Sequence, residues 1–195
     1  MRYKERNEEY RSVFKIIIKT LDEIQKITRF WNIIYIDESG IDHNEIKSRS
    51  WSPIGSPTSS EQYGYRYKRT TLLAGTRKNR ENWDMEVLAQ MRFEGSTNTE
   101  IFNTWIAECL CSELQEWNVV ILDNASFHKS EKTKFLIEER GARLLYLPPY
   151  SPDLNPIENY WALLKLYVRK RNFSFEAFYQ ILDEFMSRDK WLYAS

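Results

Sequence analysis

Apolar positions along this chain fall into distinct rhythms, and each rhythm predicts an element. Val13, Phe14, Ile17, Leu21 and Ile24 recur at helical spacing among charges, which predicts a helix over residues 5–27. Trp31–Ile36 is a short apolar run ending in Asp37-Glu38-Ser39-Gly40, the pattern of a buried strand followed by a turn. Residues 44–62 are rich in Ser and contain two Pro and one Gly, too many breakers for a core element, and predict an inserted loop. Residues 65–76 and 84–93 predict two further strands joined through the polar GTRKNREN segment.

The second half alternates helix and strand. Thr97-Asn98-Thr99-Glu100 fits a capping box, and Ile101, Phe102, Trp105, Ile106, Cys109 and Leu110 form one apolar face behind it. Asn118–Leu122 predicts a buried strand, Lys129–Arg140 a helix ended by Gly141, and Arg143–Leu147 a last strand halted by Pro148-Pro149. Asn155-Pro156 opens a helix with Trp161, Leu164 and Val168 on one face. Ser174 caps a final helix that turns Phe175, Phe178, Leu182 and Phe185 inward. Early hairpins followed by right-handed crossovers predict an α/β fold, a mixed sheet with helices on both faces. This is the strand order of the ribonuclease H-like fold, here preceded by an N-terminal helix.

Composition bounds the function without naming it. At 195 residues, with 42% hydrophobic and 15% aromatic content, the chain can bury a core as one domain with an appendage. Lys+Arg and Asp+Glu each number 28, so the whole molecule carries no basic signature for nucleic acid. The charges are nevertheless sorted. Gln62–Arg80 contains six basic residues and no acid, Phe93–His128 six acids and no Lys or Arg, and Asn159–Asn172 four basic residues without an acid. Cys109 and Cys111, with only two histidines in the chain, are too few for zinc and read as buried free thiols suited to a reducing compartment. No apolar run approaches the ~18–20 residues of a membrane span and no signal peptide is evident, so a soluble cytoplasmic protein is expected.

Three acids carry the candidate chemistry. Asp37 and Asp123 each follow an apolar run, where ligands gather in open α/β sheets, and Glu158 lies at the start of a helix. Hard divalent cations take oxygen ligands, and carboxylates from three elements could hold a metal pair ~3.5–4 Å apart for in-line phosphoryl displacement. Each acid has a plainer explanation as well. Asp37 sits in turn-like D-E-S-G, with Glu38 and Asp42 as rival acids. Asp123 has Asn124 and Ser126 beside it, which suit a turn as well as a site. With Asn155 as N-cap, Glu158 falls where a glutamate closes a capping box.

Taken together, IIYIDESG, LLAG, FEGSTNTEIFNTW, VVILDNASFHKS and LLYLPPYSPDLNPIENYWALLK resemble the catalytic domain of the mariner-type DDE transposases, particularly their bacterial insertion-sequence branch. The likeness runs from about residue 31 to 172, and thirty-four residues lie between Asp123 and Glu158. The resemblance implies that Asp37, Asp123 and Glu158 are catalytic metal ligands for two Mg²⁺ (or Mn²⁺) ions. It implies DNA strand cleavage at transposon ends, attack of the freed 3′-hydroxyl on target DNA, and no covalent protein nucleophile. A homodimer acting on paired ends is expected. The alternatives are a decayed or domesticated DNA-binding protein and an RNase H-like nuclease.

Candidate DNA contacts are Arg66, Lys68 and Arg69, interleaved with Tyr63, Tyr65 and Tyr67 in a pattern that a half-buried strand also shows. Lys165, Arg169 and Lys170 form a basic stripe below Glu158, which equally suits a solvated helix face. His128 could touch phosphate or a metal-bound water, or could bond nearby backbone. Trp51, in the inserted loop, could meet a partner subunit or DNA, or cover core. Residues 1–30 read as a linker helix, 31–172 as the catalytic domain, and 173–195 as a C-terminal helix packed on it. Because such transposases carry helix-turn-helix readers before the catalytic domain, a separate or frameshift-fused helix-turn-helix subunit is an expected partner.

Overall fold

The computed structural model describes residues 7–28, 32–42, 69–171 and 175–187. Its five strands are β1 (Ile33–Asp42), β2 (Arg69–Lys78), β3 (Met85–Glu94), β4 (Val119–Leu122) and β5 (Arg143–Tyr146). They lie in the order β3-β2-β1-β4-β5. The pairs β1–β2 and β2–β3 are antiparallel, whereas β1–β4 and β4–β5 are parallel, giving the mixed, ribonuclease H-like sheet expected. Around it stand α1 (Glu8–Thr28), α2 (Thr99–Trp105), α3 (Glu131–Glu138), α4 (Ile157–Arg169) and α5 (Phe175–Met186).

Alternation along β1 explains the layers, because successive side chains of a strand point to opposite faces. Ile34 and Ile36 enter a core with Phe102, Trp105, Ile106 and Ile137. Ile33 and Tyr35 meet Phe14 of α1 on the other face. Ile41 joins Leu72, Trp161, Leu164, Phe178 and Leu182 in a third cluster under α4 and α5. Central β4, the run VVIL, is buried at every position, as a parallel strand covered on both faces should be.

Several boundaries differ from expectation for physical reasons. Asp37-Glu38-Ser39-Gly40 is strand, not turn, since β2 pairs with it residue for residue, Asp37 opposite Ala74 and Gly40 opposite Thr71. Likewise Gly75–Lys78 stay in β2, and the hairpin turn is shorter, closed by the Asn79 amide on the Asp84 carbonyl at 2.7 Å. Asn98 rather than Thr97 caps α2, its Oδ1 accepting from the Ile101 amide at 2.8 Å. Beyond Trp105 the helix widens into a π turn, Ile106–Leu110, burying Ile106 and Leu110. Both thiols are free, Cys111 buried and Cys109 half-buried. Ser130 caps α3, which ends before Gly141, whose φ of 76° is the left-handed conformation that suits a residue past a helix end.

The inserted loop 44–62, Trp51, Tyr63, Tyr65, Tyr67, Arg66, Lys68, the Asp42 side chain and the Ser174 cap lie outside the described residues. Among the described residues, no helix is long and apolar enough to cross a membrane.

Candidate active site

The parallel pairing of β1 with β4 ends at Tyr35 opposite Ile121. Asp37 and Asp123 each follow two residues later, so the sheet presents them in step at the carboxyl end of its parallel pair. Glu158 comes from the first turn of α4. All three line one cleft of about 420 Å³, walled by Asn124, Ala125, Leu147–Ser151 and Asn155. The cleft is pinned at its base, where the Leu147 amide donates to the Leu122 carbonyl at 2.7 Å and Asn124 Nδ2 donates to the Leu147 carbonyl. Strand alternation also separates the rival acids. Glu38 points to the opposite face from Asp37, and its Oε2 is buried without a partner among the described residues.

Each carboxylate has its own surroundings. Burial pushes Asp37 up to about 8, and the negative charges of Glu158 and, less strongly, Asp123 add to the rise. Opposing them are the Glu38 backbone amide and, less strongly, Trp161, whose indole Nε1 donates to Asp37 Oδ2 at 3.1 Å. Burial alone would raise Asp123 too. The His128 hydrogen bond, the Ala125 amide on the same Oδ1 at 2.9 Å, and the charges of His128 and Lys129 together hold it below its ordinary value. Burial raises Glu158 against the charge of Lys165, with Asp123 adding to the rise.

Glu158 does not close a capping box. Pro156 occupies the N-cap, and no side-chain capping bond forms. Asn155, in extended backbone, turns its Nδ2 toward the Ile36 carbonyl at 3.4 Å, while its own carbonyl accepts from the Glu158 amide at 3.2 Å. The Glu158 carboxylate is left facing the cleft.

His128 is placed where neither expectation put it. It is 1% exposed, wedged between Phe102 and Phe127 with both ring centroids at 4.2 Å, and its Nδ1 donates to Asp123 Oδ1 rather than to backbone. Lys165 is half-buried on α4, with Arg169 and Lys170 exposed at that helix's far end. Arg69 is exposed at the start of β2, its guanidinium lying over Gly40 where a Cβ would stand about 2 Å from it. Sequence patterning missed two contributors. Trp161 looked like core alone, although its place three residues after Glu158 puts both on one helical face. Arg11 is 1% exposed and grips Asp153 through both terminal nitrogens at 3.1 and 2.7 Å, fastening α1 to the turn that leads to Glu158. Nothing local in the sequence announces that contact.

An all-oxygen donor set of three carboxylates suits a hard divalent cation, whose charge would offset both the burial that lifts Asp37 and the repulsion that adds to it. Among the described residues, no three acidic, His or Cys side chains close around a single point. The arrangement fits ions that each take one or two carboxylates and complete their shells with water and substrate phosphate.

A family model described as DDE superfamily endonuclease matches residues 32–178, and the chain belongs to that family. The Tc3 transposable-element transposase of Caenorhabditis elegans is 44% identical over 50 residues, covering 26% of this chain and 15% of that protein. An uncharacterized protein of Sinorhizobium fredii (strain NBRC 101917 / NGR234), y4pE/y4sA, is 43% identical over 47 residues, covering 24% and 33%. Among solved structures, the Mos1 strand transfer complex superposes with a TM-score of 0.69 at 21% identity, covering 97% of this chain and 56% of that one. The mariner Mos1 paired end complex with Mg gives 0.66 at 17%, covering 95% and 56%. The Mos1 catalytic domain alone gives 0.62 at 18%, covering 97% and 85%. These likenesses establish a shared fold. The chain spans about half the length of the Mos1 chains in the strand transfer and paired end complexes, and smaller shares of the two curated relatives.

Proposed function

We propose that this chain is a transposase catalytic domain performing metal-dependent DNA strand cleavage followed by 3′-hydroxyl strand transfer. The observation that carries the proposal is the in-step placement of Asp37 and Asp123 beside Glu158 in one cleft. These three side chains would hold two Mg²⁺ or Mn²⁺ ions, a choice supported by the Mos1 paired end complexes with Mg and with Mn. When bound, the ion pair supplies charge at the attacking and leaving oxygens of an in-line phosphoryl displacement. The chain's own part is to keep Asp123 charged and all three carboxylates aimed: His128 and the Ala125 amide fix Asp123, and α4 delivers Glu158. Ser39 and Ser126 need no covalent role.

Transposon ends and target DNA are the proposed substrates. Arg69, Lys165, Arg169 and Lys170 are the proposed phosphate contacts, with Arg66 and Lys68 beside Arg69 in the chain. His128 is better suited to positioning Asp123 than to touching DNA, because it is buried beneath it. Residues 31–172 would form the catalytic domain, with residues 1–30 as a linker to a helix-turn-helix reader carried on a longer chain or a separate subunit. Residues 173–195 would form a C-terminal helix on it, in keeping with the burial of Phe178 and Leu182. The working assembly is proposed to be a homodimer on paired ends, acting in the cytoplasm at the nucleoid.

The test is Mn²⁺-dependent nicking and 3′-end joining of DNA by the chain and by its Asp123→Ala and Glu158→Gln forms. Metal-dependent nicking of weak sequence preference is expected, lost in both variants. Equal activity in the variants would remove the metal assignment. Inactivity of all three would favour a DNA-binding remnant that keeps the fold without the chemistry.

A further inference from the structure

Helix α4 brings two groups to the cleft from one face, Glu158 itself and, three residues on, Trp161. The indole is 2% exposed, held among Ile41, Leu72, Leu164 and Phe178, so its direction is set by packing rather than by solvent. Its Nε1–H can only donate, and it donates to Asp37 Oδ2 at 3.1 Å. The Glu38 backbone amide also donates to the Asp37 carboxylate, but no other side chain among the described residues does, so Trp161 is its one donor from outside β1. On the other side of Glu158, Asn155 Nδ2 reaches the carbonyl of Ile36, the residue before Asp37. From either side of Glu158, Asn155 and Trp161 therefore meet β1 at two adjacent residues, Ile36 and Asp37.

From this we infer that Trp161 is a positioning residue of the metal centre, committing one oxygen of Asp37 to a fixed indole N–H so that the other is presented to the ion. The inference rests on the proposed metal-binding role of Asp37, Asp123 and Glu158, and deepens it. An outer hydrogen bond of this kind orients a ligand and lowers the reorganisation needed on binding, and its loss typically costs about 10- to 100-fold in metal affinity. The same bond spans two elements, 124 residues apart in sequence, so it also fixes how the Glu158 helix sits over the Asp37 strand.

The experiment compares Mn²⁺ binding, by loss of the free-ion electron paramagnetic resonance signal, for the whole chain and its Trp161→Phe and Asp37→Asn forms without DNA. Phenylalanine keeps a ring in the core and removes the N–H. A Mn²⁺ affinity about 10- to 100-fold weaker in Trp161→Phe is expected, with nicking restored at high Mn²⁺. Unchanged affinity in Trp161→Phe, alongside loss in Asp37→Asn, would overturn the role of Trp161 and leave the metal site standing. Absence of binding by the unaltered chain would overturn both. Should Trp161→Phe fail to fold, the indole N–H resonances of the ¹⁵N-labelled unaltered chain decide. One resonance should move both with Mg²⁺ and with Asp37→Asn, and the lack of any such resonance would overturn the inference.

Discussion

Around Asp37, α4 and the sheet close over a carboxylate and offer it the Glu38 amide and one indole N–H, while its nearest charges are other carboxylates. Around Asp123, two residues beyond the end of β4, the same kind of side chain receives a backbone amide and an imidazole and has a lysine nearby. The first setting favours the protonated acid and the second the anion, although the sheet presents the two residues in step. Secondary structure thus sets where an acid stands, and its neighbours decide what state it is in. In the proposed metal site, one acid would meet a cation already charged, whereas the other would give up its proton as the cation bound.

The largest expected consequence is in the pH dependence of the metal-free fold. With its folded value raised to about 8 from an ordinary 3.8, Asp37 keeps a proton that the unfolded chain has released. Between those values the folded state binds more protons, so stability falls as pH rises, by up to about 1.4 kcal/mol per pH unit. Asp123 acts in the opposite window: its lowered value stabilises the fold above the ordinary 3.8, and that contribution disappears as pH falls through the lower folded value. Urea unfolding in chelator at about pH 5 and about pH 8 should show the fall for the unaltered chain and a flatter profile for Asp37→Asn. Identical profiles would remove the contrast.

Next in size is His128→Ala, which deletes a ring packed between Phe102 and Phe127 and strips Asp123 of its strongest donor. A loss of about 2–4 kcal/mol by urea unfolding is expected from the cavity and the charge-assisted bond together. A loss below about 0.5 kcal/mol would show that the imidazole neither fills that space nor holds the carboxylate. Smallest is Asp153→Asn, which leaves the Arg11 guanidinium buried with a weaker partner. Because Asp153 is itself 53% exposed, only about 1–2 kcal/mol should be lost, again by urea unfolding. Values near those for removing one partner of a fully buried ion pair, about 3–5 kcal/mol, would mean that α1 is held far more by this contact than by Phe14.

Much of the fold is legible from side-chain rhythm, since Ile34 and Ile36, the VVIL run, and the Trp161–Leu164–Val168 face are buried where their spacing says they should be. What escaped is decided by partners distant in the chain. D-E-S-G has the composition of a turn, and only β2, some thirty residues later, holds it extended. Glu158 fits a capping box by spacing, but Asn155 spends its side chain on Ile36 instead. His128, Trp161 and Arg11 carry no local mark of what they touch, because their partners Asp123, Asp37 and Asp153 come from other elements or turns. The three acids were legible as a set through the LDN and SPDLNPIE contexts, and their unequal environments were not.

Alternation along β1 has a further consequence, for the kinds of sequence change this strand can absorb. Deleting or inserting one residue between Ile33 and Ile36 would exchange the two faces from that point on, turning Glu38 toward the cleft and Asp37 into the layer of Phe102 and Trp105. Substitutions here can be graded in their effect, whereas a change of length by one is all-or-nothing. Descendants of this chain should therefore vary β1 by letter and leave its spacing alone, accepting gains and losses of length in the segments between strands.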